Sequence, residues 1–204
     1  RVAVVPTIAS TDAPCSACAV VYSEEGVMLR VEFQKRNPDL VLVDSEIIAN
    51  APERFLVAGM GDALATWFEA ESCRRTKSKN EVGGMGSRTA YSLARICYET
   101  LLEYGVAALF SCKANAVTPA LEHVIEANTL LSGLGFESGG IAMAHAVHNG
   151  FTVLPETRSY YHGEKVAMGV LASLFLTDKP KELSRLERIL STIAAFGSPT
   201  KIRL

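Results

Sequence analysis

Histidine spacing is the first feature of this chain that could support chemistry, because three of its four histidines lie close together, at His145, His148 and His162. Apolar residues around His145 recur at helical spacing, so His145 and His148 are expected on one face of a helix. His162 directly precedes a second apolar run, which places it in a loop or in the first turn of the next helix. Neutral imidazole is the commonest metal ligand, so these residues form a candidate metal site. Spacing alone fits equally well three histidines that are hydrogen-bonded within a helical core.

Asp62 is the best candidate for an anionic partner of these histidines. It lies in an otherwise apolar helical stretch, where aspartate is a poor helix former and is costly to bury unpaired. A cation would compensate its charge, and one carboxylate with two imidazoles around an open position is typical of catalytic zinc. The alternative is that Asp62 caps a helix that begins after Gly61. Thr66, four residues further on, is expected on the same helix face as Asp62.

Strand-type patterns occupy the first part of the chain. Residues 2–5 and 40–43 are short apolar runs, and we expect both to be buried strands. Residues 19–22 and 27–33 flank a short polar segment and predict a β-hairpin, in which Gly26 supplies the positive φ angle of the turn. Up to this point the chain is therefore β-rich.

Helical periodicity begins after Asp44 and continues toward the end of the sequence. A short helical turn is expected directly after Asp44, and Pro52 marks the start of a longer helix. The change near Asp44 predicts an α/β part over residues 1–44 and an all-α domain over residues 45–204. The longer helices are predicted at residues 52–75, with an interruption at 59–61, and at 87–104, 107–114, 119–134, 140–150, 163–176 and 181–196.

Composition excludes several classes of partner. The 204 residues include 20 basic and 22 acidic side chains, so the net charge is -2, which argues against nucleic acid. No apolar run reaches the roughly 18 residues of a membrane span, and no basic and apolar leader opens the chain, so no membrane partner is expected. Five cysteines, an odd number, fit a reducing compartment. We therefore expect a cytoplasmic protein, or an organellar one if a presequence has been removed.

Five segments of the chain together resemble the metal-dependent, so-called iron-containing, alcohol dehydrogenase family, and in particular its members that oxidise glycerol. These segments are residues 6–14, 37–44, 61–69, 137–150 and 162–167. They occur in the family's order and extend over essentially the whole chain. The resemblance implies an α/β segment followed by an all-α domain, in a dehydroquinate synthase-like or iron-containing alcohol dehydrogenase-like architecture with the active site in the cleft between the two.

The resemblance also implies the roles of individual residues. Asp62, His145 and His162 match the three zinc ligands of the glycerol-oxidising members, and through the metal they would take part in binding the substrate. Asp12 matches the residue that hydrogen-bonds the polyol, and we expect it to be both substrate-binding and catalytic. His148 matches a recurrent histidine near the metal, and we expect it to assist catalysis without binding the metal directly.

Five further residues match positions that contact the nicotinamide cofactor in the family. In the other members one of these positions, that of Cys18, often holds leucine, so a contact there is expected through the backbone or through packing. The five residues are Thr7, Ser10, Ser16, Cys18 and Tyr22.

The reaction implied by the resemblance is the NAD-dependent oxidation of glycerol, or of a similar small polyol, to dihydroxyacetone. Zinc would polarise the substrate hydroxyl, and the cofactor would accept the hydride. Iron-dependent members carry a fourth ligand, a histidine, where this chain has Thr66, which favours zinc over iron. Large homo-oligomers are typical of the glycerol-oxidising members, and we expect one here.

Two alternatives follow from the same residues. The family's glycine-rich pyrophosphate loop lies upstream of the segment that corresponds to Arg1, so these 204 residues alone are expected to bind NAD weakly or not at all. The chain would then be a metal-binding fragment without catalysis. A dehydroquinate-synthase-like lyase shares the architecture, but the loop at Asp12 and the Asp-His-His pattern follow the dehydrogenase version.

Overall fold

The structure, a computed structural model, describes the backbone of residues 1–197 and the side chains of residues 1–191. Residues 198–204, at the end of the predicted second domain, lie outside this description. The strands are β1 Ala3–Val4, β2 Cys18–Tyr22, β3 Met28–Phe33 and β4 Leu40–Val41. The helices are α1 Ser45–Ala49, α2 Glu53–Thr76, α3 Arg88–Lys113, α4 Pro119–Glu126, α5 Ser132–Gly139, α6 Met143–Phe151, α7 His162–Leu176 and α8 Pro180–Gly197. A π-helical turn, Ala127–Leu131, joins α4 to α5.

The strands form two small ladders. Strands β2 and β3 pair antiparallel, and Gly26 adopts a φ of 81° between them, so the predicted hairpin is confirmed. Strand β1 pairs in parallel with β4. The expectation that these two strands are buried is wrong for the described residues, because Ala3 is exposed and Leu40 is 54% exposed. A ladder of two short strands has no layer that covers both of its faces.

The change from strands to helices falls at Asp44, as predicted. The Asp44 carboxylate accepts hydrogen bonds from the backbone amides of Glu46, at 2.9 Å, and Ile47, and it thereby caps α1. Among the described residues, the chain after Asp44 contains helices and no strand. The division into two domains, at residues 1–44 and 45–204, stays a prediction.

Helix α2 runs continuously from Glu53 to Thr76, so the interruption of the apolar spacing at residues 59–61 does not break the predicted helix. Both glycines lie where the helix meets another part of the backbone. A Cβ atom on Gly59 would overlap the carbonyl oxygen of Ala9, and one on Gly61 would overlap that of Gly163. Glycine here allows close packing rather than ending the helix. Asp62 consequently lies inside α2 and does not cap a helix.

Two further helix boundaries differ from the prediction. Residues 87–104 and 107–114 form one helix, α3, in which Gly105 faces the Met60 sulfur atom. Residues 119–134 were expected to form one helix, but the π-helical turn divides them between α4 and α5.

Among the described residues, no helix is both long and apolar enough to cross a membrane.

Candidate metal center and active site

Asp62 is a buried carboxylate, and neither of its oxygen atoms accepts a well-aligned hydrogen bond. Its side chain is 0% exposed, and Oδ1 lies 3.0 Å from His162 Nε2 and 3.6 Å from His145 Nε2. One ligand atom from each of these three residues fits within a group 4.8 Å across. Because a buried carboxylate without a well-aligned hydrogen bond is costly, the three residues fit a bound divalent cation. The structure thus brings together the three residues that were predicted to bind metal, while the binding itself stays a prediction.

Three helices position these ligands. Asp62 lies in the middle of α2, His145 in the first turn of α6, and His162 is the first residue of α7. The start of α7 lies directly against α2, because a Cβ atom on Gly163 would overlap the carbonyl oxygen of Ala58. This close approach places the His162 ring beside Asp62.

The electrostatics of this center favor a positive charge beside Asp62 and Glu69. Burial raises the pKa of Asp62, but His162 and His145 outweigh this effect and hold it below its usual value. Burial lowers the pKa of His145, but Glu69 and Asp62 together raise it well above its usual value. This environment favors either a proton or a bond to a metal ion on His145; the proton would offset one of the two carboxylates, whereas a divalent cation would offset both.

His148 lies behind His162 and does not reach Asp62. It is 1% exposed, its Nε2 lies 3.0 Å from His162 Nδ1, and its Nδ1 lies 3.1 Å from Asn149 Oδ1. If His162 binds a metal through Nε2, its Nδ1–H donates to His148, whose Nδ1–H donates to Asn149. Burial and the neighboring His162 lower the pKa of His148 to about 3, which keeps it in the neutral form that this arrangement requires.

Asp12, the predicted polyol-binding residue, is buried at the edge of the same site. Its Oδ2 accepts a hydrogen bond of 2.9 Å from Ser132 Oγ, which also lies 2.8 Å from Thr66 Oγ1. Burial and the nearby Asp62 raise the pKa of Asp12 well above its usual value. The Thr66 hydroxyl is thus hydrogen-bonded to Ser132.

The loop that carries Asp12 is held by residues that the sequence analysis missed. Asn128, in the π-helical turn, donates a hydrogen bond of 2.9 Å to the carbonyl oxygen of Ala9. Glu137, in α5, accepts one of 2.8 Å from the backbone amide of Ala17. These contacts fix the loop on both sides of Asp12. Asn128 and Glu137 are each more than a hundred residues away in sequence from the loop residue they contact, so no local pattern could have identified them.

An open cleft of about 430 Å³ lies between the β2–β3 hairpin and the helices. Asp12 and the three candidate metal ligands all line it, as do Cys18 and Tyr22 among the predicted cofactor-binding residues. This volume accommodates a three-carbon polyol beside the candidate ligands.

The predicted cofactor-binding residues are not all in this cleft. Thr7 is exposed and Ser10 is half-buried, and neither lines it. Ser16 is buried, and its Oγ accepts a hydrogen bond of 2.7 Å from the Cys18 amide. Burial, and the acidic groups around it, raise the pKa of Cys18 to about 11, so its side chain is a neutral thiol. Contact of the five residues with a nicotinamide cofactor stays a prediction.

The fold has clear relatives among solved structures, although no protein-family model matches the chain. An iron-containing alcohol dehydrogenase from Thermotoga maritima superposes with a TM-score of 0.69 at 16% identity, over 99% of this chain and 52% of that one. A probable glycerol dehydrogenase from Sinorhizobium meliloti 1021 superposes with a TM-score of 0.92 at 48% identity, over 99% of this chain and 56% of that one. The chain therefore has the fold of the iron-containing alcohol dehydrogenases.

Curated proteins with similar sequences agree with the structural relatives. The chain is 65% identical to the glycerol dehydrogenase of Thermotoga maritima over 201 residues, which are 98% of this chain and 55% of that protein. The chain therefore corresponds to a segment of the glycerol dehydrogenases and spans about half the length of the curated relatives it matches.

Proposed function

We propose that this chain is part of a zinc-dependent polyol dehydrogenase that oxidises glycerol, or a similar small polyol, with NAD as the hydride acceptor. Glycerol would give dihydroxyacetone. The observation that carries the proposal is the Asp62 carboxylate, which is buried, accepts no well-aligned hydrogen bond and faces two imidazole nitrogens. The glycerol dehydrogenases among the relatives supply the substrate class.

The donor set bears on which metal ion is bound. Two imidazoles and one carboxylate suit catalytic Zn²⁺, and the same set occurs around Fe²⁺ in other enzymes. We favor zinc because Thr66, one turn after Asp62, is hydrogen-bonded to Ser132 and offers no imidazole as a fourth ligand. The three protein ligands would leave the remaining coordination position open toward the cleft.

The chain's own residues would bind and orient the polyol. A zinc ion held by Asp62, His145 and His162 would supply Lewis acidity that lowers the pKa of a substrate hydroxyl. NAD would supply the electron acceptor. The buried Asp12 lines the same cleft, and Ser132 holds its carboxylate in place for a hydrogen bond to a second hydroxyl. Asp12 would thus favor polyols over alcohols with one hydroxyl.

Asp12→Asn is expected to reduce kcat/KM for glycerol by up to about 10-fold, because it disturbs a hydrogen bond of the kind that contributes about 0.5–1.5 kcal/mol. The measurement is NADH formation, in a preparation that reduces NAD with glycerol. The control substrate is 2-propanol, which has no second hydroxyl and should lose much less. An equal loss with both alcohols would contradict the role of Asp12 in polyol selection.

Metal analysis and an absorbance assay of NADH formation with glycerol test the proposed function. We expect one zinc per chain and activity that disappears with a chelator and returns with added zinc. Activity that survives complete removal of the metal would contradict the proposal. A chain that never binds zinc would contradict it as well.

Metal binding without catalysis is the second candidate, because all three candidate ligands, Asp62, His145 and His162, lie within this chain. The chain covers 55% of the Thermotoga maritima glycerol dehydrogenase. Bound zinc, with no nicotinamide binding by calorimetry, would support this candidate over the dehydrogenase.

A further inference from the structure

Glu69 is a buried carboxylate to which the sequence analysis assigned no role. It lies on α2, two helical turns after Asp62, and it is 3% exposed. Its Oε1 accepts hydrogen bonds from the backbone amides of Ala142, at 2.9 Å, and His145, at 3.0 Å. Its Oε2 lies 2.6 Å from His145 Nδ1. All three contacts are to the segment that begins α6.

The backbone contacts make Glu69 the cap of α6. The residue before this helix is Ala142, whose side chain cannot accept a hydrogen bond, and α6 has no side-chain cap of its own. The carboxylate of Glu69 takes that place from a different helix, and its negative charge is favorable at a helix N-terminus. Glu69 therefore fixes where the backbone of His145 lies.

The contact with Nδ1 fixes the ring of His145. An imidazole can present a lone pair to a metal through Nε2 only if the remaining proton is on Nδ1. Oε2 of Glu69 accepts a hydrogen bond from Nδ1–H in this tautomer, while Nε2 points toward Asp62 at 3.6 Å. Because Asp62 and Glu69 are seven residues apart on α2, one helix contacts both nitrogens of the same ring.

We propose that Glu69 is a positioning residue for the metal center, which holds His145 in the tautomer and the orientation that can bind a metal ion through Nε2. This inference rests on the metal site of the proposed function. Carboxylates that accept the second N–H of a metal-binding histidine typically change metal affinity by about 10- to 100-fold when they are replaced.

Glu69→Gln tests this role with little change of size. If the glutamine oxygen accepts from the two backbone amides, its NH₂ group faces Nδ1 and favors the tautomer with the proton on Nε2. If the amide is reversed, the NH₂ group meets two backbone donors. The first orientation disfavors the tautomer that binds a metal, and the second loses the two backbone contacts that position His145. We therefore expect zinc affinity to fall by about 10- to 100-fold in competition with a chromophoric chelator.

Glu71→Gln is the matched control. Glu71 lies on the same helix two residues further on, and its Oε2 pairs with Lys179 Nζ at 2.8 Å, away from the histidines. Zinc affinity should be unchanged in this variant. Equal losses of affinity in Glu69→Gln and Glu71→Gln would overturn the inference.

A double-mutant cycle separates the effect on the ring from the capping of α6. In a His145→Ala background, measured at zinc concentrations high enough to load the weakened site, the ring is gone but both backbone contacts of Glu69 remain, so Glu69→Gln should no longer change the zinc affinity. The same loss in both backgrounds would show a purely structural role and overturn the inference. Unchanged affinity in Glu69→Gln would overturn this inference alone, whereas an unsubstituted chain that binds no zinc would overturn the metal site as well.

Discussion

Replacing either His145 or His162 by alanine is expected to abolish stoichiometric zinc binding, whereas His148→Ala is expected to retain one zinc per chain. His145 and His162 each place a ring nitrogen within 3.6 Å of the buried Asp62 carboxylate. Among the three candidate ligands, His148 contacts His162, and it does so at the ring nitrogen that faces away from Asp62. Its removal should therefore weaken zinc binding by about 10-fold or somewhat more, as is typical of a group behind a metal ligand.

Elemental analysis after gel filtration, followed by competition with a chelator, measures this difference. His123→Ala is the control, because its ring packs against Tyr104, with 4.7 Å between ring centers, and takes no part in the group that could hold a metal ion. The assignment of ligands would be refuted if His148→Ala lost its zinc while His145→Ala or His162→Ala kept it.

Gly163→Ala is expected to lower the free energy of unfolding by about 3 kcal/mol or more, because the added methyl group overlaps the backbone of α2. The new Cβ would also lie 2.9 Å from the backbone nitrogen of Asp62. The two helices can separate only by moving His162 away from Asp62, so zinc affinity should fall together with stability. For a chain of this size, the melting temperature should drop by roughly 6–12 °C.

Gly150→Ala is the matched control for this substitution. Gly150 is an exposed residue in α6, and a Cβ atom there would have no heavy atom within 4 Å. Alanine is favored over glycine inside a helix by about 1 kcal/mol, so this variant should unfold at the same temperature or slightly higher. Thermal unfolding of the zinc-free forms, followed by circular dichroism, compares the two variants. Similar melting temperatures would argue against close packing of α7 on α2.

The parts of the fold that could be predicted depend on local signals. The hairpin at Gly26 and the helix start after Asp44 were predictable because each turn or cap is determined by residues next to it. The continuity of α2 through Gly59 and Gly61 was not, because glycine favors a break when only near neighbors are considered. Here both glycines are explained by the distant backbone of Ala9 and Gly163.

The candidate site shows the same division. Periodicity placed His145 and His148 on one face of a helix and His162 at the start of the next helix, as the structure has them. Spacing did not distinguish His148 from the other two, since that difference depends on which ring nitrogens face Asp62. Glu69 could have been suspected as an acidic residue seven positions after Asp62 on a buried face. Ser132 carried no such signal.

Helix α2 positions all three candidate metal ligands. It carries Asp62, it contacts both nitrogens of the His145 ring, and its backbone at Ala58 sets the approach of α7 and thus of His162. The distances between ligands therefore depend on contacts with one helix and not on the lengths of the connecting segments. Insertions and deletions in exposed loops, such as the one after Thr76 or the one before His162, can accumulate during evolution while the geometry of the site is preserved.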